Sequence, residues 1–178
     1  MKRRDGITLR AADVNDVDDI ADLFLACWRI SYRDVLPPRL VAMYGPAGAR
    51  DLWQRSFAQD PGTREVVVAE QSDHSVVGVV AIGSDPDDVA AGHIFSLYVH
   101  PQAQELGIGA RLVSAAIGRF RADGLSRASL WVFEANAGGR AFYDHLGWRA
   151  DGTVRVEPEY GEPELRFTRS LSAADGLP

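Results

Sequence analysis

A chain of 178 residues is long enough for one domain with a substantial core, and 46% hydrophobic with 25% charged residues is the balance of a soluble globular protein. The net charge of -6 argues against general nucleic-acid binding, which needs a basic surface, but leaves room for a local anion site. Cys27 is the only cysteine, so it can form neither an internal disulfide nor a metal cluster by itself. No apolar run nears the roughly 18 residues of a membrane span.

Met1 to Arg10 is charged and lacks the apolar centre of a signal peptide, so a cytoplasmic protein is expected. Ile7 to Ala11 alternates apolar and polar residues as a half-buried strand does. Asp13, Asn15 and Asp16 are helix-start residues, and Ile20, Leu23, Phe24, Cys27, Trp28 and Ile30 form an apolar stripe that should end near Arg33. Cys27 on that stripe reads as a buried core thiol. Trp28 and Tyr32 share a helix face, either packing in the core or lining a pocket. A short helix is expected over residues 39–44, a break at Gly45-Pro46-Ala47-Gly48, another helix over 49–59, and a turn at Asp60-Pro61-Gly62.

Strands are predicted over residues 64–70 and 75–82, joined by a hairpin at Ser72-Asp73-His74, with a solvated acidic loop from Gly83 to Gly92. Ile94 to Val99 is a β-rich run. After a polar bend, Gly107-Ile108-Gly109 opens a helix with Leu112, Val113, Ala116, Ile117 and Phe120 on one face, closed at Asp123-Gly124. Alternation along the preceding strand places His93, Phe95, Leu97 and Val99 on one side and Ile94, Ser96 and Tyr98 on the other. Residues 128–133 form a strand and 140–146 a short helix closed by Gly147. Further strands begin at Trp148 and run over 164–170. A single domain over residues 1–172 is expected, with a disordered tail at 173–178. Alternating strands and helices indicate an α/β layer arrangement.

Strand, turn and glycine-opened helix make an anion site. The first helical N–H groups lack intrahelical partners, the dipole is positive at that end, and glycine allows close backbone approach. A P-loop would need a Lys after its second Gly, and this segment has none. The dinucleotide fingerprint G-x-G-x-x-G fails at Leu112.

The segment Gln104-Glu105-Leu106-Gly107-Ile108-Gly109-Ala110 resembles R/Q-x-x-G-x-G/A, the acyl-coenzyme A signature of the GNAT superfamily of N-acetyltransferases. Leu97-Tyr98-Val99-His100-Pro101 is similar to the strand that precedes that signature. A second block, Asn136, Gly139, Tyr143 and Gly147-Trp148, resembles N-x-x-A-x-x-x-Y-x-x-x-G-F. The N-terminal I-x-L-R-x-A-x-x-x-D start and the stretch from Trp28 to Pro37 look similar to a subgroup of small bacterial members. The likeness runs from Ile7 to Ser170.

The resemblance implies a central, mostly antiparallel mixed sheet of six or seven strands flanked by helices. It implies acetyl-coenzyme A as co-substrate with no metal, and transfer to a primary amine of a small molecule or peptide by direct attack on the thioester. Gln104, Glu105, Leu106, Gly107, Ile108, Gly109 and Ala110 would hold the pyrophosphate. Leu97, Tyr98 and Val99 would pair with the pantetheine arm, joined by Asn136, and Arg140 and Arg111 could approach the adenosine phosphates. Tyr143 stands at the tyrosine that protonates the departing thiolate. His93 stands where relatives often place a basic glutamate, and a backbone N–H near Val99 would meet the oxyanion. Trp28 and Tyr32 would line the acceptor site, towards which the acids of residues 85–88 could draw a cationic amine. Nucleic-acid and membrane partners are not expected, and a homodimer is compatible. The missing glutamate keeps open a non-catalytic acyl-coenzyme A-binding module. A toxin-type enzyme acting on aminoacyl-tRNA is the other alternative, disfavoured by the net charge.

Overall fold

The computed structural model describes residues 6–59 and 63–172; the predicted turn at Asp60-Pro61-Gly62 and the tail at 173–178 lie outside the described residues. Among the described residues, seven strands form one sheet: β1 (Thr8–Ala11), β2 (Arg64–Glu70), β3 (Val76–Asp85), β4 (Asp88–Val99), β5 (Arg127–Phe133), β6 (Arg149–Val156) and β7 (Pro163–Ser170). Their spatial order is β1-β2-β3-β4-β5-β7-β6. Every neighbouring pair is antiparallel except β4 with β5, so the sheet is mixed and mostly antiparallel, as expected.

Helices α1 (Val17–Ala26), α2 (Pro38–Val41) and α3 (Pro46–Phe57) precede β2, while α4 (Ile108–Ala122) connects β4 to β5 and α5 (Ala137–His145) follows β5. The two sheet faces carry separate cores. On one, Ile20, Phe24, Trp28 and Trp53 pack against Val66, Val68, Val79, Ala81 and Phe133. On the other, Ile108, Leu112, Val113, Ala116, Ile117 and Phe120 of α4 pack against Val80, Ile82, Ile94 and Leu130, so the apolar stripe read from the sequence is the buried one. None of the described helices is long and apolar enough to cross a membrane.

Local chemistry sets the helix starts. Asp13 accepts from the Asn15 N–H at 2.7 Å and Asp16 accepts from the Asp13 N–H at 2.8 Å, a reciprocal cap on the turn that enters α1. Arg10 binds the same Asp16 at 2.7 Å and Glu70 at 2.6 Å, tying that turn to the first two strands.

Four expectations are corrected. The predicted loop from Gly83 to Gly92 is mostly strand: β3 runs to Asp85 and β4 starts at Asp88, leaving Pro86 and Asp87 at the hairpin tip. Two of its acids are engaged there, Asp85 accepting from the Asp87 N–H and Asp88 pairing with Arg127, while the Asp87 residue stays exposed. Pro46 does not break a helix but opens α3 as its first residue, where a missing N–H costs nothing. Ile30 lies off the apolar stripe and is 56% exposed, because the end of α1 changes winding.

The fourth concerns β4. Ala81 pairs with Ser96 but Ile82 pairs with Ile94, so Phe95 is the extra residue of a β-bulge. One inserted residue reverses the alternation: Ile94, Leu97 and Val99 face α4, while Phe95 and Tyr98 face the α1/α3 side. His93 shares that second side, its ring 4.7 Å from Phe95.

Packing at two glycines gives opposite expectations. A Cβ at Gly92 would lie 2.3 Å from the buried Phe120 ring, whereas one at Gly118 inside α4 would meet nothing within 4 Å. Urea unfolding should therefore show Gly92→Ala destabilised by about 1–3 kcal/mol and Gly118→Ala stabilised by about 0.5–1 kcal/mol. Equal effects at both positions would contradict this packing.

Candidate active site

The bulge opens a wedge in the sheet. β4 and β5 are paired only from Ala91 with Arg127 to Ile94 with Leu130; beyond the bulge β4 continues to Val99 and β5 to Phe133 without pairing. The His100 N–H donates to Val77 O at 2.9 Å, which fixes the ladder between β3 and β4. In an antiparallel pair the hydrogen-bonded residues alternate, so Tyr98 also points its N–H and C=O at β3, and Leu97 and Val99 point theirs into the wedge. The Glu134 N–H donates to Pro163 O at 2.8 Å, and the same reasoning turns Trp131 and Phe133 of β5 into the wedge from the other side. Part of this edge is already occupied. Val99 C=O accepts from Cys27 Sγ at 3.2 Å and Gln104 Nε2 at 3.3 Å, leaving both groups of Leu97 and the Val99 N–H.

Helix α4 starts beside the wedge, after a loop with two left-handed residues, Glu105 (φ 71°) and Gly107 (φ 77°). Gly107 caps the helix without a side chain, and the first hydrogen bond runs from the Arg111 N–H to Gly107 O at 3.1 Å. The N–H groups of Ile108, Gly109 and Ala110 therefore face outward without acceptors from that ladder, at the positive end of the dipole. Gly109 has a different role: a Cβ there would be 3.1 Å from the Phe142 ring, so its absence lets α4 approach α5. Gln104 and Glu105 are exposed, but the Gln104 amide also bonds Ser31 Oγ at 3.2 Å and anchors the loop.

The start of α5 follows the end of β5, and the Asn136 N–H donates to Phe133 O at 2.9 Å. Asn136 caps the helix, Oδ1 accepting from the Gly139 N–H at 2.9 Å, so only its Nδ2 remains to donate elsewhere. Arg140 has a buried Nε without a hydrogen-bond partner. Arg111 donates to Ile7 O at 3.0 Å. Tyr143 packs edge-on against Phe142 and Trp148, with its ring centroids 5.1 and 6.0 Å from theirs. Its hydroxyl makes no hydrogen bond to a described residue, and burial, helped by the Tyr32 phenol, pushes its pKa well above the ordinary tyrosine range. It stays a proton donor at neutral pH.

On the α1/α3 side, α1 ends in a π-helical turn over Cys27–Ser31. Such turns re-aim side chains. Here the turn directs Trp28 and Tyr32, 5.4 Å apart, onto Phe133 and onto Tyr160 of the loop between β6 and β7. Glu164 is buried beside this aromatic group and bonded to Arg155 at 2.8 Å. Burial raises its pKa against the pull of that guanidinium. Cys27 is buried, its thiol pushed up to about 12 by loss of solvent, which makes it a poor nucleophile.

His93 sits one residue before the wedge opens. It is 6% exposed, with Nδ1 2.6 Å from Ser129 Oγ and 3.7 Å from Asp85 Oδ2. Burial lowers its pKa from 6.5 to about 4, with Asp85 opposing and Arg155 and Arg64 adding to the drop. Tyr160, Phe133, Glu164 and Ser129 were not predicted as site residues, and Asp85 was expected only among the acids that could draw an amine. They come from separated strands and loops, and only sheet register brings them together.

The wedge and the uncapped helix start are suited to a ligand that combines an extended amide arm with a phosphate group. Among the described residues, no three His, Cys, Asp or Glu side chains come together to hold a metal ion.

Comparison with known proteins shows the family and the fold. Residues 17–148 match the acetyltransferase (GNAT) family. A probable N-acetyltransferase of Mycobacterium tuberculosis is 31% identical over 179 residues, covering 96% of this chain and 97% of that protein. The PaiA N-acetyltransferase of Thermoplasma acidophilum, solved with coenzyme A, superimposes with a TM-score of 0.73 at 16% identity, over 92% of this chain and 98% of that one. The yncA protein of Salmonella typhimurium, solved with its cofactor acetyl-CoA, gives a TM-score of 0.69 at 18% identity, over 97% of this chain and 98% of that one.

The buried imidazole links folding to pH. Between about 6.5 and about 4 the unfolded chain binds a proton at His93 that the folded chain refuses, so stability is full above that window and falls as pH drops through it. His93→Gln should flatten the loss by up to about 3 kcal/mol, read as the wild-type-minus-variant difference in unfolding free energy at pH 7 and pH 4. Parallel curves for the two proteins would contradict the assigned burial.

Proposed function

This chain belongs to the acetyltransferase (GNAT) family, and on that premise we propose that it moves the acetyl group of acetyl-coenzyme A to a primary amine by direct attack on the thioester. The observation that carries the reading is the wedge between β4 and β5 lying against the uncapped start of α4. Leu97 and the Val99 N–H offer a strand edge for an amide-bearing arm, and the Asn136 Nδ2 is left free to donate to it from the start of α5. The loop from Gln104 to Ala110 offers backbone N–H groups for a pyrophosphate, and Arg140 offers an unpartnered guanidinium nitrogen. Acetyl-coenzyme A supplies an activated acyl carbon and a thiolate leaving group.

Each remaining role falls to a residue of this chain. The Val99 N–H points into the wedge and can donate to the acetyl oxygen as it gains charge. Tyr143 keeps its proton and gives it to the departing sulfur. His93 stays neutral at working pH and accepts a proton from the amine nitrogen. A pKa of about 4 makes it a weak base in the ground state. Attack on the acyl carbon turns the amine nitrogen cationic and strongly acidic, so a weak but pre-placed lone pair is sufficient at that point. Trp28, Tyr32, Phe133 and Tyr160 supply an aromatic wall against which a small-molecule or peptide amine can dock.

Free-thiol release from acetyl-coenzyme A in the presence of a panel of primary amines tests this directly. At least one amine should release thiol and appear as the N-acetyl product; coenzyme A binding without release for any amine would leave only a binding module. On the best acceptor, Tyr143→Phe should lower kcat by about 10²-fold or more with little change in KM for acetyl-coenzyme A. Unaltered turnover would remove the assigned acid. Because His93 is already neutral, the acidic limb of kcat/KM should follow the ionisation of the acceptor and move when a less basic amine is used. A limb fixed near pH 6.5 for every acceptor would contradict this.

A further inference from the structure

Behind His93 lie two polar side chains that neither the family signature nor the reaction accounts for. His93 on β4 and Ser129 on β5 are register partners in the parallel pairing of these two strands. Asp85, from the end of β3, completes a line of three. All three are buried, at 6%, 4% and 9% exposure. Burying three polar groups costs stability unless their hydrogen bonds are satisfied. Here they satisfy one another: His93 Nδ1 is 2.6 Å from Ser129 Oγ, and Ser129 Oγ donates to Asp85 Oδ2. The other carboxylate oxygen, Asp85 Oδ1, accepts from the Asp87 N–H at 2.9 Å.

A serine hydroxyl has one proton, and an aspartate carboxylate can only accept. The Ser129 proton therefore goes to Asp85, and Ser129 Oγ must accept from His93. We propose that Ser129 and Asp85 are positioning residues for His93, a relay that keeps the ring proton on Nδ1 and leaves Nε2 as the basic atom. The inference deepens the reading of His93 as the base and rests on it for its catalytic meaning, though not for the tautomer itself.

The proton balance is simple. The amine N–H bond breaks and an Nε2–H bond forms. The resulting imidazolium keeps its Nδ1–H bonded to Ser129 and, through it, to the Asp85 carboxylate. The proton then leaves Nε2 for water as the product departs. Arg64 from β2 and Arg155 from β6 oppose the imidazolium charge, while Asp85 from β3 favours it, and Phe95 closes the ring face. Removing the Asp85 charge takes away the carboxylate that favours the imidazolium, so the relay matters most in the protonated step. In the free protein Nε2 makes no hydrogen bond to a described residue.

Two-dimensional ¹H–¹⁵N correlation of histidine-labelled protein at pH 7 tests the proposal, with His93→Gln identifying the His93 signals among the four histidines. The wild type should show a protonated Nδ1 and a bare Nε2. Ser129→Ala should lose that fixed tautomer, Ser129→Thr should keep it, and Asp85→Asn should weaken it. Both Ser129→Ala and Asp85→Asn should lower kcat roughly tenfold or more with KM for acetyl-coenzyme A unchanged. A wild-type spectrum with the proton on Nε2 would overturn the relay whatever His93 does in turnover. A fixed Nδ1–H tautomer together with full activity of His93→Gln would instead overturn the base reading and leave the relay as architecture. Full activity in Ser129→Ala and Asp85→Asn, with the tautomer lost, would overturn its part in positioning the base.

Discussion

The structure depends on a parting of two strands. β4 and β5 hold together from Ala91 to Ile94 and no further, because Phe95 is one residue too many for the ladder with β3. A bulge bends and twists its strand. Here it turns β4 away from β5 in the middle of a sheet, where unpaired backbone would otherwise be a liability. The free edge of Leu97 and Val99 faces the gap so formed, and the loop and helix that follow on the chain bring the start of α4 beside it. The same extra residue sets which side chains face which core. Leu97 and Val99 lock against α4, so the free backbone is held rigidly, while Tyr98 closes the opposite face through Trp28, whose indole donates to its hydroxyl at 3.3 Å.

Around this wedge the polar groups divide by environment. Tyr143 and His93 are both pushed away from their ordinary pKa by burial, in directions that leave each neutral. Tyr143 keeps its phenolic proton and His93 keeps a ring lone pair. Neutral groups are also the less costly ones to bury. Charge is kept in pairs set back from the wedge, Arg155 with Glu164 and Arg127 with Asp88.

Much of this was legible in the sequence where a residue's meaning is local. The stripe from Leu112 to Phe120 is periodic, Gly107 must tolerate a left-handed backbone, and the spacing of Asn136 to Trp148 carries the second block. What was not legible is what depends on register. The acidic stretch from Gly83 to Gly92 has loop composition, yet its strand character comes from pairing with β3 and from the room that Gly92 leaves for Phe120. Strict alternation put His93 and Leu97 on one face, and a single bulge residue undid it. Asn136 has the family spacing, but its Oδ1 is committed to capping α5. Ser129 and Asp85 carry no motif. They matter only because β5 lies in parallel register with β4 and the β3 hairpin ends beside them.

Amide hydrogen exchange, resolved to single residues of β4 with and without coenzyme A, tests the central claim that the parted strands receive the ligand's arm as an inserted strand. The account predicts marked slowing at Leu97 and Val99 and at residues 108–110. The Tyr98 amide, already bonded across to β3, should be slow in both states. Saturating coenzyme A that leaves Leu97 and Val99 unchanged, or that protects Tyr98 alone, would contradict it.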